Sequence, residues 1–231
     1  MRLQRGDFSG LAVGTATMRE MDRRTVEEFG VPGPVLMENA GGAVAETASS
    51  MAAGESPVVV LAGAGNNAGD GFVAARWLSN RGRAVRIITA VPPEKYRGEA
   101  ALNFRIVRNM GLEVTVWEEV RRDNLPAGAL LIDALLGTGL KGELREPFGE
   151  AIEFVTGRDG PVLSVDVPSG VDGDTGEVLS AAVKAEKTVT FALPKSGLYN
   201  GRGPEFAGEV ILADIEMPRA VYPEGKRPWA L

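Results

Sequence analysis

Short aliphatic runs alternate with amphipathic stretches through the middle of this chain, and that alternation restricts the fold more than any other feature. PVVVLAG (57–63) reads as a buried strand, FVAARWLSNRG (72–82) as a helix closed by glycine, and AVRIITA (84–90) as a strand. EKYRGEAALNFRIVRNMG (94–111) reads as an amphipathic helix and LEVTVW (112–117) as a strand. ALLIDALLG (129–137) holds another strand, with a helix near 146–155 after it. PVLSVDVPSG (161–170), KTVTFALP (187–194) and GEVILADI (208–215) supply the later strands. Strands that alternate with helices predict an α/β fold, a three-layer αβα sandwich around a mostly parallel, Rossmann-like sheet.

Two helices are expected ahead of the sheet. Thr17 and Glu20 fit a capping box. Met18, Met21, Thr25, Val26 and Phe29 then form a helical stripe that Gly30 and Pro32 end. The stretch 35–53 reads as a second helix whose small residues allow close packing, although Gly41-Gly42 weakens it.

A length of 231 residues, with no repeat, linker or low-complexity segment, suits a single domain over 1–231. The residue inventory narrows the chemistry. There is no cysteine, hence no disulfide or thiolate, and no histidine, hence no Ser-His-Asp triad and none of the usual zinc or iron ligand sets. Acid–base work falls to Asp, Glu, Lys, Tyr or water, and a bound metal is expected to be a hard cation held by oxygen. The net charge of −6 argues against a nucleic-acid binder. MRLQRGDFSG is too polar for a secretory signal, and no apolar run approaches the ~20 residues that span a bilayer, so a soluble, cytoplasmic protein is expected.

Three loops follow predicted strands: Gly63 to Gly71, Asp133 to Gly142, and Asp166 to Gly170. In a parallel open sheet the carboxyl ends of strands share one edge, where ligands bind. Each loop brings glycine and a carboxylate to that edge. The first fits neither the dinucleotide fingerprint, since its glycines space as G-x-G-x-x-x-G and the next strand ends without an acid, nor a P-loop, since no Lys-Ser or Lys-Thr follows. Its glycines are also compatible with a plain strand-to-helix turn, and Asp70 with a favourable charge at a helix start. Asp133 directly follows an apolar strand, so its carboxylate needs a partner, a proton or a cation. Pro168 restrains the backbone around Asp166 and Ser169. Asp174-Thr175-Gly176 reads as a turn, having no second copy and polar flanks.

Five ordered motifs, LMENAG (36–41), GAGNNAGDG (63–71), IDALLGTGLKG (132–142), SVDVPSGVDGDTG (164–176) and VTFALPKSGL (189–198), resemble the YjeF N-terminal domain family, the NAD(P)H-hydrate epimerases. The likeness runs from about Thr15 to about Pro218, a motif-bearing core of 15–218. One departure is Ala68, where the family has glycine, a costly change only if that position needs positive φ. The resemblance implies an enzyme that interconverts the R and S forms of hydrated NADH and NADPH, an isomerase of nicotinamide-nucleotide repair. It implies one K+ per subunit, held by Asn67, Asp133 and Ser169 with backbone carbonyls. Substrate contacts would come from Asn66, Asn67, Ala68, Gly69 and Asp70, from Gly137, Thr138, Gly139, Leu140, Lys141, Gly142 and Glu143, and from Asp166.

With histidine and cysteine absent, inversion at the hydrated carbon calls for a carboxylate and a lysine as proton carriers. Asp166 is the candidate acid–base group and Lys141 its candidate assistant. A homodimer through the N-terminal helices is the family expectation. A separate S-specific dehydratase would be the functional partner, since no fused kinase-like domain is expected in a chain of this length. The alternative is a non-catalytic dimerising or binding module of the same fold, as in some relatives.

Overall fold

A computed structural model describes residues 2–54, 56–120, 125–126, 128–139 and 144–228. Among them one sheet has eight strands: β1 (Leu3–Arg5), β2 (Val58–Ala62), β3 (Val85–Thr89), β4 (Glu113–Val116), β5 (Leu130–Ala134), β6 (Val162–Val165), β7 (Lys187–Phe191) and β8 (Glu209–Ala213). Their order is β1-β8-β7-β6-β5-β2-β3-β4. Every pairing is parallel except β1 with β8 at one edge. The helices are α1 (Thr15–Glu27), α2 (Gly33–Met51), α3 (Asn66–Asn80), α4 (Gly98–Asn109), α5 (Phe148–Thr156) and α6 (Gly203–Ala207).

Strand side chains alternate between two cores, which makes three layers. Val58, Val60 and Ala62 of β2 join the core that holds Met21 of α1, Val44 of α2, Phe72 of α3 and Val107 of α4. Val59 and Leu61 join the opposite core, with Ala151, Ile152 and Val155 of α5. The central strands are buried on both faces, which is why they read as unbroken apolar runs. Each fully buried Leu, Ile or Phe contributes about 1.5–3 kcal/mol of burial free energy. From β2 the chain steps one way through β3 and β4, then returns to the other side of β2 for β5 to β8. The order therefore reverses between β2 and β5.

Glycine makes two close approaches possible. A Cβ on Gly41 would overlap Val73 and the carbonyl of Asp70, so the small residues of α2 do allow it to sit tightly on α3. A Cβ on Gly63 would overlap the carbonyl of Leu135, so the loops after β2 and β5 touch only because that position has no side chain.

Several boundaries differ from the sequence reading. Helix α3 begins at Asn66, ahead of Phe72, because the N–H groups of Ala68 and Gly69 bond the Gly65 carbonyl (3.1 and 3.4 Å) and turn the glycine-rich stretch into a first helical turn. Ala68 lies in that turn with its methyl buried and is not among the residues with positive φ, so it is unstrained there. Helix α1 starts at Thr15 and not at a capping box on Thr17. Its N-cap is Gly14, and the capping acceptor comes from afar: Asp174 receives the Thr15 N–H (2.6 Å) and hydroxyl (2.9 Å). The helix expected over 94–111 is divided, a short turn at Pro93–Lys95 preceding α4 at Gly98. Strand β1 escapes a sequence reading because Leu3, Gln4 and Arg5 are all exposed.

Candidate active site

Open sheets of this kind bind ligands outside the carboxyl ends of the strands where the order reverses. A cleft of about 1130 Å³ opens at that point, beyond the ~300–1,000 Å³ of common small-molecule sites. One wall is the first turn of α3, with Asn66, Asn67 and Asp70. Another is the loop after β5, with Gly137, Thr138 and Gly139. Asp166, at the end of β6, also lines the cleft. Met18, Arg19, Asp22 and Val26 supply a third wall from one face of α1. Arg19 ties that helix to the second wall by donating to the Thr138 carbonyl (3.0 Å). Ala68 and Gly69 share the α3 turn but face the protein interior, Gly69 lying against the Met37 side chain. Leu140, Lys141, Gly142 and Glu143 lie outside the described residues.

Beneath the cleft the three expected metal ligands meet. Asp133 is fully buried. Its Oδ2 accepts from the Ser164 hydroxyl (2.8 Å) and the Ser169 N–H (2.9 Å), and its Oδ1 from the Ser169 hydroxyl (2.5 Å) and the Leu135 N–H (3.3 Å). Burial pushes the Asp133 carboxyl above its ordinary range, and the bonds from Ser169, Ser164 and Leu135 oppose that shift. Among the described residues no cationic side chain pairs with it. The Ser169 Oγ also lies 3.2 Å from the Leu136 carbonyl oxygen, to which the Asn67 amide donates (3.1 Å). The Ser169 Oγ accepts from the Leu136 N–H (2.9 Å) and has one proton to share between Asp133 Oδ1 and the Leu136 oxygen, so these three oxygens stand together with lone pairs to spare. A half-turn of the Asn67 amide would add a fourth oxygen. One carboxylate with neutral oxygens fits a hard cation of low charge. Among the described residues no cluster of three or more His, Cys, Asp or Glu side chains forms a multivalent metal site.

The sheet edge also carries a charge pair that the sequence reading missed. Asp166 Oδ1 sits 2.5 Å from the Lys195 ammonium and accepts from the Thr190 hydroxyl (3.1 Å). Lys195 is almost fully buried, also donates to the Phe191 carbonyl (3.3 Å), and reaches the cleft. Both residues are set by unusual turns. Asp166 has φ 66° and the Val167 N–H closes onto the Val165 carbonyl (2.8 Å). Ala192 has φ 58° and the Leu193 N–H closes onto the Phe191 carbonyl (2.7 Å). Such three-residue turns at positive φ are rare and strained, at about 1–3 kcal/mol each. Adjacent parallel strands thus end in matching turns that aim Asp166 and the Lys195 segment at each other. The available signal was positional: Lys195 follows a strand, as Asp133 and Asp166 do.

Asp70 is buried against the cleft, and among the described residues nothing hydrogen-bonds its carboxylate. Burial holds its carboxyl well above the ordinary range, Asp166 adds repulsion and Lys195 offsets part of it. An oxygen-lined floor, a carboxylate–ammonium pair and a second acid thus surround one cavity, an arrangement able to move protons on a polar ligand.

Residues 33–197 match the family model for the YjeF-related protein N-terminus. A bifunctional NAD(P)H-hydrate repair enzyme Nnr from Thermofilum pendens is 41% identical over 210 residues, which cover 89% of this chain and 40% of that one. An NAD(P)H-hydrate epimerase from Rhodopirellula baltica is 39% identical over 202 residues, covering 87% of this chain and 82% of that one. The chain spans about 40% of the length of the bifunctional relatives. A yeast protein of known crystal structure shares the fold with a TM-score of 0.81 at 25% identity, covering 95% of this chain and 96% of the other. The family match takes in well over half of the sequence, and the chain belongs to the YjeF-related protein N-terminus family.

Proposed function

We propose that this protein is an NAD(P)H-hydrate epimerase, an isomerase that interconverts the R and S forms of hydrated NADH and NADPH. The observation that carries this reading is the Asp166–Lys195 pair, held in strained turns at the wall of a dinucleotide-sized cleft. The names of the relatives from Thermofilum pendens and Rhodopirellula baltica support the same activity. The start of α3 suits the pyrophosphate, because helix N-termini attract phosphate oxygens. Asn66 and Asp70 border that position, with Gly137, Thr138 and Gly139 opposite.

Asp166 exchanges the proton at the hydrated carbon's hydroxyl, and Thr190 and Lys195 fix the carboxylate's orientation. Asn67, Asp133, Ser169 and the Leu136 carbonyl would hold one K+. That ion would neutralise Asp133 and tie the loops after β2, β5 and β6 together. A homodimer is part of the reading, supported by the exposed Val26 and Phe29 near the end of α1 and Val35 in α2. An S-specific dehydratase, separate or fused, would consume the product. Among the described residues no helix is long and apolar enough to cross a membrane, and a cytoplasmic setting goes with the coenzyme substrates.

The test uses purified protein and the separated R form of NADPH hydrate, followed by chromatography that resolves the epimers, with and without K+. Conversion well above the spontaneous rate is expected, and Asp166→Asn should slow it by ~10²-fold or more. A folded wild-type protein that gives no acceleration refutes the epimerase and returns the chain to the binding-module reading.

A further inference from the structure

Asp22 has no evident structural purpose. It lies on the cleft face of α1, and among the described residues no hydrogen bond or ion pair engages its carboxylate. Its neighbours in charge are those of the reaction: Asp166, Asp70 and Lys195. The other charged groups on this cleft are Arg19, engaged with Thr138, and Glu99 and Arg145. Asp22 is exposed at the mouth of the cleft, and an exposed carboxylate on a helix is ordinarily a solvated charge; what sets it apart is its place on the wall of the cavity that also carries Asp70 and Asp166. The buried, unpartnered Asp70 beside it shows that the cavity itself is built to hold carboxyl groups toward a ligand.

Resting on the epimerase reading, we propose that Asp22 is a second proton-transfer residue of this site, acting on the substrate hydroxyl from the α1 wall while Asp166 acts from the sheet edge. Inversion at the hydrated carbon then needs no abstraction of its own hydrogen. One carboxyl donates a proton to the hydroxyl, the C–O bond breaks with its electron pair leaving on oxygen, and water departs. The ring nitrogen's lone pair forms C=N, so the carbon becomes planar and cationic. Water adds to the other face, the new C–O bond forms, and the second carboxylate takes the released proton. Charge balances across the turn, and the two carboxyls exchange roles in the opposite direction. The carboxyl groups of Asp22, Asp70 and Asp166, gathered on this cleft, stabilise the transient cation. Although Asp22 is exposed, partial desolvation at the cleft mouth raises its carboxyl to about 6, with Lys195 opposing and Asp166 reinforcing the shift. It therefore changes charge where a proton carrier should.

The test compares wild type, Asp22→Asn and Asp22→Glu in R-to-S conversion of NADPH hydrate, run in ¹⁸O-water from pH 5 to 9. Wild type should incorporate solvent oxygen as it epimerises and lose rate toward alkaline pH, because Asp166 is held ionised by Lys195 and Asp22 is then the carboxyl that must carry the proton for the departing hydroxyl. Asp22→Asn should lower kcat by ~10²-fold or more, leave KM nearly unchanged, and lack that alkaline limb, while Asp22→Glu recovers part of the rate. Thermal stability should not fall in Asp22→Asn. A carboxyl whose folded pKa is raised weakens the fold above about pH 6 and not below its ordinary range near pH 4, so any change at pH 8 is a gain. Wild-type kcat in Asp22→Asn, or epimerisation without solvent oxygen, overturns the proposal while leaving the epimerase intact. An inactive wild type overturns both.

Discussion

The Asp166–Lys195 pair makes an asymmetric prediction. Lys195 has 4% of its side chain exposed and Asp166 has 14%, and the ion pair spans 2.5 Å. Removing one member of a buried pair costs about 3–5 kcal/mol when the survivor stays charged and dry. The two survivors differ. In Asp166→Asn the Lys195 ammonium loses its counter-charge and keeps neutral acceptors alone: the amide oxygen at 166, Thr190 Oγ1 (3.4 Å) and the Phe191 carbonyl (3.3 Å). Without Lys195 the Asp166 carboxylate still borders the cleft, keeps the Thr190 hydroxyl, and is rehydrated. Asp166→Asn should therefore destabilise by about 3 kcal/mol and Lys195→Met by about 1–2 kcal/mol. Asn tolerates the positive φ at 166, so backbone strain does not confound the comparison. At about 2–4 °C per kcal/mol for a domain of this size, the losses correspond to roughly 6–12 °C and 2–8 °C in Tm. The double variant should be more stable than Asp166→Asn alone, because it removes the orphaned charge. Urea unfolding at pH 7.5 completes the cycle. Additive losses, or an Asp166→Asn protein as stable as wild type, would refute the claim that these charges depend on each other.

Two further outcomes follow from the proposed function. KCl at ten times its Kd should stabilise the protein by about 1.4 kcal/mol over an equal concentration of tetramethylammonium chloride, read as a rise in Tm. Ser169→Ala and Asn67→Ala should each lose that increment, and a wild-type Tm indifferent to K+ excludes the assigned ion site. Sedimentation velocity should show a dimer that Val26→Glu with Phe29→Glu converts to monomer at micromolar concentration, whereas an unchanged sedimentation coefficient removes these residues from any interface.

The parts of the fold that were legible in the sequence are those written in apolar pattern. The strands β2, β3 and β5 to β8 announce themselves as aliphatic runs because they are largely buried, while the edge strand β4, with no buried residue, shows only as alternation in LEVTVW. Their carboxyl ends could be located, so Asn67, Asp133, Ser169 and Asp166 could be expected on one edge before the strand order was known. What stayed illegible depends on geometry that no local pattern encodes. Asn66 to Gly71 read as a loop, since asparagine and glycine are poor helix formers, yet tertiary contacts hold them in the first turn of α3. The cap of α1 is Asp174, a residue no window around Thr15 contains. Strand β1 has neither length nor alternation.

Asp22 and Lys195 were hidden for opposite reasons. Asp22 stands between Arg19 and Arg23 on a helix whose polar residues include Arg23 paired to Glu20 and Glu27, and in sequence it resembles that solvated network. Only the docking of α1 separates them. The Val13 N–H bonds the Pro194 carbonyl (3.0 Å) and the Ser196 N–H bonds the Val13 carbonyl (2.9 Å), so the segment ahead of α1 is stitched to the segment that carries Lys195. That stitch sets the register in which one face of α1, and not its neighbour, looks into the cleft. Lys195 in turn follows a proline in a stretch without periodicity, where a lysine is ordinarily a surface charge. The same backbone pairing thus fixes both groups. A substitution that loosens it, at either end, would be felt by Asp22 and Lys195 together although neither had been touched.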